Sequence, residues 1–308
     1  MFDGLLVLSR LALYLGLMLA FGVPVFVLQV LGGQAVASPV ARRALRVAGA
    51  ATLVSLLASA TALWAMARAM SADGDPGAVW SVVRTLLTQT AVGMTWDLRV
   101  ILLLVSLWLG MAAGITPRTR AAALSLLGAV ALATLAWAGH GAMNDGAAGL
   151  LHLGADVAHL MVAGAWVGAL GTFVLIARSA SRDAGRDAVA LLSGAATGFA
   201  RMGTLIVAVL VVSGAINYAL IVGPSWSGLI ENLYGRLLLV KLGLFAIMLA
   251  LASVNRFRLA PALEKARQGE EVGSAVSALT RSLYFEASLA VLILCLVAWL
   301  GTLNPEGG

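Results

Sequence analysis

Apolar runs long enough to cross a bilayer recur eight times along this chain, and that repetition decides most of what it can fold into. A helix needs roughly 20 consecutive apolar residues to span the hydrocarbon core. With no water there to satisfy backbone polar groups, the spanning structure must be a helix or a closed barrel. The runs are continuous rather than alternating, which favours helices. The expected fold class is therefore all-α, a polytopic membrane helix bundle of about eight transmembrane helices. Composition agrees: the 308 residues are 61% hydrophobic and 11% charged. Both figures lie outside the usual range for soluble domains.

The spans are read in order from punctuation between the runs. The first covers Leu5 to Leu31, with Arg10 and Tyr14 four apart on one face and Pro24 expected to kink it. The second covers Leu45 to Met66 and ends at SADGDPG. From 76 to 92, Val79, Val82, Val83, Leu86 and Leu87 at helical spacing predict a short helix, either lying on the membrane surface or packed as a loop helix. The third and fourth spans, Leu98 to Ile115 and Ala121 to Trp137, are joined by the tight basic turn TPRTR. A glycine-rich loop, GHGAMNDGAAG, leads to the fifth, Leu150 to Ala177. The charged segment RSASRDAGRD reads as a loop before the sixth span, Ala200 to Val222. The seventh and eighth are Arg236 to Val254 and Ser282 to Leu303, separated by a long mixed-charge loop with its own surface helix. This gives an N-terminal four-helix half, residues 1–140, and a C-terminal four-helix half, residues 141–308.

An even number of spans puts both termini on one side. Fourteen of the 20 Lys and Arg residues fall in or beside the loops on the other side, against four on the side of the termini. Cytoplasmic loops carry the excess of Lys and Arg, so both termini are expected in the periplasm of a bacterium. The net charge of +6 follows from these clusters, and a nucleic-acid role is not expected. Cys295 stands alone, which excludes a disulfide framework and a thiolate cluster.

All three histidines of the chain, His140, His152 and His159, lie between Gly139 and Gly171. At 3.6 residues per turn, His152, Asp156 and His159 share one face of the fifth span, and Trp166 returns to nearly the same face. Ionisable residues inside a span are expensive and mark function by default. The topology puts His140 and His152 at the periplasmic surface and His159 about 10 Å deeper than His152. Imidazole binds copper, zinc and iron, thioether binds soft Cu(I), and carboxylate prefers harder ions. His140, Met143, His152, Asp156 and His159 thus form a candidate metal set, a series of ligands at descending depth. Trp166, Trp137 and Lys241 are supporting candidates, the tryptophans as walls. Asp156 has a second use open to it, as the ion-pair partner of Lys241 on the seventh span. Met161 lies on the opposite side of its helix and reads as packing, while Met18, Met94 and Cys295 are minor candidates for sulfur ligands. Arg10, Arg201 and Glu286 read as structural ion pairs or interface anchors.

These residues resemble those of the copper resistance protein D family. The segment GADVAHLMVAGAWVGALG, with an aspartate, a histidine three residues on and a later W-x-G, is similar to that family's signature helix. FARMGTLIVAVLVVSGAINYALIVG and LYGRLLLVKLGLFAIMLALASVNRFRLAP resemble its C-terminal domain, and LSRLALYLGLMLAFGVPVF and TAVGMTWDLR resemble its N-terminal half. The resemblance implies an inner-membrane protein tied to copper handling and, by family proposal, to copper movement from periplasm to cytoplasm. Its matched positions here are Asp156, His159, Trp166, Tyr234, Gly235, Arg236, Lys241, Asn255 and Arg256.

The expectation that follows is a copper-binding membrane protein, in which Cu(I) or Cu(II) enters through His140, His152 and Met143 and passes inward by Asp156 and His159. No nucleotide-binding loop is visible, so transport would not be ATP-driven by this chain. No nucleophile, base and orienting group stand in a catalytic arrangement, and no enzyme activity is expected. One alternative is a b-type haem electron-transfer protein, although His152 and His159 on one face cannot ligate a single haem from both sides. Another is an assembly partner that delivers copper to a cuproenzyme without transport. The expected partners are membrane lipid and a periplasmic copper chaperone.

Overall fold

The computed structural model describes residues 2–71, 75–138, 146–183, 186–221, 230, 232–267 and 271–303. Ten α-helices run through them: α1 (Phe2–Phe26), α2 (Pro39–Met70), α3 (Pro76–Gln89), α4 (Ala91–Met111), α5 (Pro117–Ala133), α6 (Gly146–Asp183), α7 (Arg186–Ile221), α8 (Leu233–Val254), α9 (Ala260–Ala266) and α10 (Val272–Leu300). No strand occurs among the described residues. Eight of the continuous helical segments are long and apolar enough to cross a membrane, as the run lengths predict.

The starts of these helices are written in the sequence. Ser38 accepts from the Ala41 amide at 3.1 Å with Pro39 behind it, and Thr90 accepts from Gly93 at 3.1 Å. Asn232 accepts from the Gly235 amide at 2.7 Å and opens α8. Each cap satisfies one of the amide groups that a first helical turn leaves without an intrahelical partner.

Several helices outrun the expected spans. The RSASRDAGRD segment does not form a long loop: α6 runs on to Asp183 and α7 begins at Arg186, fourteen residues before the expected Ala200. The charges there sit on the ends of two helices instead of on a long connection. The long loop expected after Val254 is also largely helical. A π-helical turn, Asn255–Leu259, carries α8 into α9, and α10 starts at Val272. Pro261 lacks the amide that would close an α-turn onto Phe257, and the wider turn just before it absorbs that defect. A second π turn, Val27–Leu31, follows α1, which itself runs unbroken through Pro24.

α1 is the central helix and packs on α2, α5, α6 and α10, so it touches both halves of the chain. Its close crossings are made of glycine. A Cβ on Gly22 would run into the backbone of Gly164, and one on Gly168 into the backbone of Gly22. Small residues let helices approach where lipid supplies no hydrophobic drive between them. Around this crossing Leu17, Phe21, Leu132, Ala165, Trp166 and Ala169 form the centre of the core.

The segment between α2 and α4 is a helix that packs. Val79, Val83 and Leu86 of α3 are buried against Leu63 and Ala67 of α2. Its other face presents Trp80, 62% exposed, whose ring meets Trp64 edge-on at 5.3 Å between centroids.

By contrast α7 and α8 barely touch each other, although each packs against other elements of the bundle. A wedge therefore opens between them, backed by α6 and α10.

Candidate functional site

The half of this wedge nearer the chain termini gathers the polar residues of α6. Asp156 and His159 both turn toward α7, where Ser213 and Asn217 stand four residues apart on one face. Asn217 Nδ2 donates to Asp156 Oδ1 at 3.3 Å. His159 Nδ1 lies 3.0 Å from Ser213 Oγ. The Ser213 hydroxyl spends its own proton on the Val209 carbonyl at 2.6 Å. With that proton committed, the Ser213 oxygen is placed to accept from His159 Nδ1, the tautomer that would leave Nε2 its lone pair. A hydroxyl on one ring nitrogen is the kind of neighbour that orients an imidazole ligand for a metal.

The second oxygen of this group is also free to act. Asn217 Oδ1 is buried and makes no hydrogen bond. A carboxylate, an unpartnered amide oxygen and an imine nitrogen thus come from one patch of α6 and α7. All three are electron-pair donors, and a cation suits such a set better than any neutral group would.

Lys241 reaches the same place from α8. Its ammonium acts electrostatically on both Asp156 and His159. It forms no ion pair at 4.0 Å or less, since among the described residues Arg267–Glu264 is the pair that close. Asp156 is accordingly bonded to the Asn217 amide while the Lys241 cation stands off at a longer distance. Tyr14 of α1 closes the far side, within electrostatic reach of Asp156, Arg10 and Arg99. Arg99, only 4% exposed, donates through Nε to Thr134 Oγ1 at 2.7 Å.

The remaining predicted residues fare differently. His152 is 1% exposed, enclosed by its neighbours in the second turn of α6. His140 and Met143 lie outside the described residues. Trp137 sits in a 3₁₀ turn, Thr134–Ala138, at the end of α5. Trp166 leaves the stripe: its Nε1 donates to Glu286 Oε1 of α10 at 3.1 Å. Met161 packs against the core, as its place on the helix implied. Among the described residues Glu286 and Arg10, expected as ion-pair residues or interface anchors, form no ion pair. Glu286 takes hydrogen bonds from Trp166 and Asn255, and the Arg10 guanidinium bonds the Gly301 carbonyl. Among the described residues no three His, Cys, Asp or Glu side chains cluster as a ready metal cage.

Sequence reasoning missed Ser213, Tyr14 and Arg99 as neighbours of the site and gave Asn217 no role. Ser213 and Asn217 did carry a signal, two polar residues at i and i+4 inside an apolar run. Arg99 and Thr134 carried none, since neither shows its partner in the local pattern.

A bundle of eight helices long and apolar enough to cross a membrane, with a carboxylate, an imidazole and an unpartnered amide oxygen inside its span, is a polytopic membrane protein. The residues 1–150 match the family model "Copper resistance protein D-like, N-terminal domain", and 193–300 match "Copper resistance protein D". The chain belongs to the copper resistance protein D family. It is 41% identical to Copper resistance protein D of Pseudomonas syringae pv. tomato over 99% of this chain and 98% of that one. It is 28% identical to Inner membrane protein YebZ of Escherichia coli (strain K12), over 86% of each chain. No solved structure matches it.

Proposed function

We propose that this protein sits in the bacterial inner membrane, binds copper in the wedge between α7 and α8, and passes it from the periplasmic toward the cytoplasmic side. Asp156 and His159 are the ligands at the heart of the site, with His152 one turn before Asp156 on the same helix. His140 and Met143 supply the entry. Asn217 and Ser213 position the two ligands. The end of the bundle that carries both termini faces the periplasm, because the loops at the other end hold the excess of Lys and Arg. A copper-binding periplasmic protein is the partner that would load such an entrance.

The observation that supports this reading best is the contact of His159 Nδ1 with the Ser213 hydroxyl at 3.0 Å. A serine on one ring nitrogen, beside a carboxylate with its own asparagine, is the outer-sphere arrangement that metal ligands use. A relative named for copper resistance is similar to this chain over almost its whole length. Copper here is cargo, and the role is binding and transfer, not catalysis.

The test is flux into proteoliposomes holding a trapped copper indicator. Wild type should admit copper and the Asp156→Asn, His159→Ala double variant should not. Equal flux through both would overturn the assignment of the site. Copper bound by the purified chain but never moved would leave a delivery role in place of transport.

A further inference from the structure

Below the Asp156 site, toward the basic end, the same wedge widens into a cavity of about 430 Å³. On α7 it is lined by Gly203, Thr204 and Val207, about two turns from Ser213 toward the basic end. Its walls are mostly apolar, but Glu286 and Asn255 stand in them.

Glu286 is 4% exposed and sits in the middle of α10. Its carboxylate accepts from Trp166 Nε1 at 3.1 Å and from Asn255 Nδ2 at 2.8 Å. Asn255 Oδ1 is buried with no hydrogen-bond partner. The arrangement repeats that of Asp156 and Asn217: a carboxylate held by an asparagine whose amide oxygen is left over. It differs in one respect, for no imidazole or sulfur stands with it among the residues lining the cavity. Oxygen-only donors select hard cations.

Among the described residues no positive side chain bonds this carboxylate. Arg256 lines the cavity, but its guanidinium bonds Thr204 and lies 5.1 Å over the ring of Phe257. On α9, Glu264 bonds Ser193 and Arg267. On α1, Arg10 is held at Gly301, at the far end of α10. Asp156 of α6 and Lys241 of α8 belong to the site nearer the termini. A carboxylate left charged and unpaired in such surroundings costs several kcal/mol. One positive charge removes that cost, whereas a divalent ion would leave a net charge behind.

We propose that Glu286 and Asn255 form a second cation site, which takes one hard monovalent cation, a proton or sodium, from the basic end through the cavity. This site is separate from that of copper and does not depend on the copper reading. It gives the chain a place to exchange an ion at the opposite half of the bundle.

Infrared difference spectroscopy on the full chain in lipid tests the proposal, with the protonated-carboxyl and carboxylate bands followed first against pH and then against sodium replacing choline. Wild type should show a carboxyl band that responds to pH alone if the ion is a proton, and to sodium as well if sodium competes. The response should vanish in Glu286→Gln, persist in the His152→Ala, His159→Ala variant, and shift in Asn255→Leu. The Trp166 indole should report the same event as a fluorescence change that Trp166→Phe removes. A carboxyl band indifferent to both ions would overturn the proposal by showing Glu286 sealed. So would a response unchanged in Glu286→Gln, or one lost in the double histidine variant. A chain that fails to bind copper but keeps this response would sink the copper reading alone.

Discussion

Asn217 donates its amide to Asp156 at 3.3 Å across the boundary between α7 and α6, and its own oxygen is left buried without a partner. The pair fixes where the carboxylate points and adds an acceptor beside it. Replacing Asn217 by Leu should keep the fold, since the position is already in an apolar helix. Copper affinity should fall by about 10- to 100-fold, the usual effect of removing a group that orients a ligand. Competition titration against a copper chelator measures it, and Ser213→Ala should fall in the same range by releasing His159.

Lys241 acts on the site as a like charge to any bound metal. At an effective dielectric near 20, like charges in close approach repel by up to about 4 kcal/mol, and by less as they separate. Lys241→Met should therefore tighten copper binding, by roughly tenfold or more. Weaker binding in this variant would mean that Lys241 serves to order Asp156 and does not oppose the metal.

The crossing of α1 and α6 admits no side chain at Gly22 or Gly168. Gly168→Val should cost at least about 1–3 kcal/mol through overpacking, because the atoms in the way are backbone and cannot swing aside. Thermal unfolding in detergent, or loss of the monodisperse protein on expression, reads it. Gly243→Val on α8 is the control, since a Cβ there meets nothing within 4 Å.

How much of this was legible in the sequence depends on the range of the interaction. Span count came directly from run length, because lipid forces every such run into a helix. Helix ends were misjudged where charge was taken for a break: Arg186 and Asp187 start α7, and the π turn at Asn255–Leu259 extends α8. The Asp156–His159 stripe was visible because both residues lie on one helix, where period alone fixes their face. Its partners were not, since Ser213 and Asn217 meet it only after α6 and α7 pack. Glu286 looked like an ion-pair residue for the same reason: nothing local says that Trp166, 120 residues away, and Asn255 will hold it.

The central claim is that the α6 histidines and Asp156 bind copper within the bundle. A copper titration of the purified chain in lipid, compared with the His152→Ala, His159→Ala variant at equal folding, tests it most directly. The wild type should bind copper with a defined stoichiometry, and the double variant should lose that binding by at least about tenfold. Binding that is unchanged in the variant would contradict it.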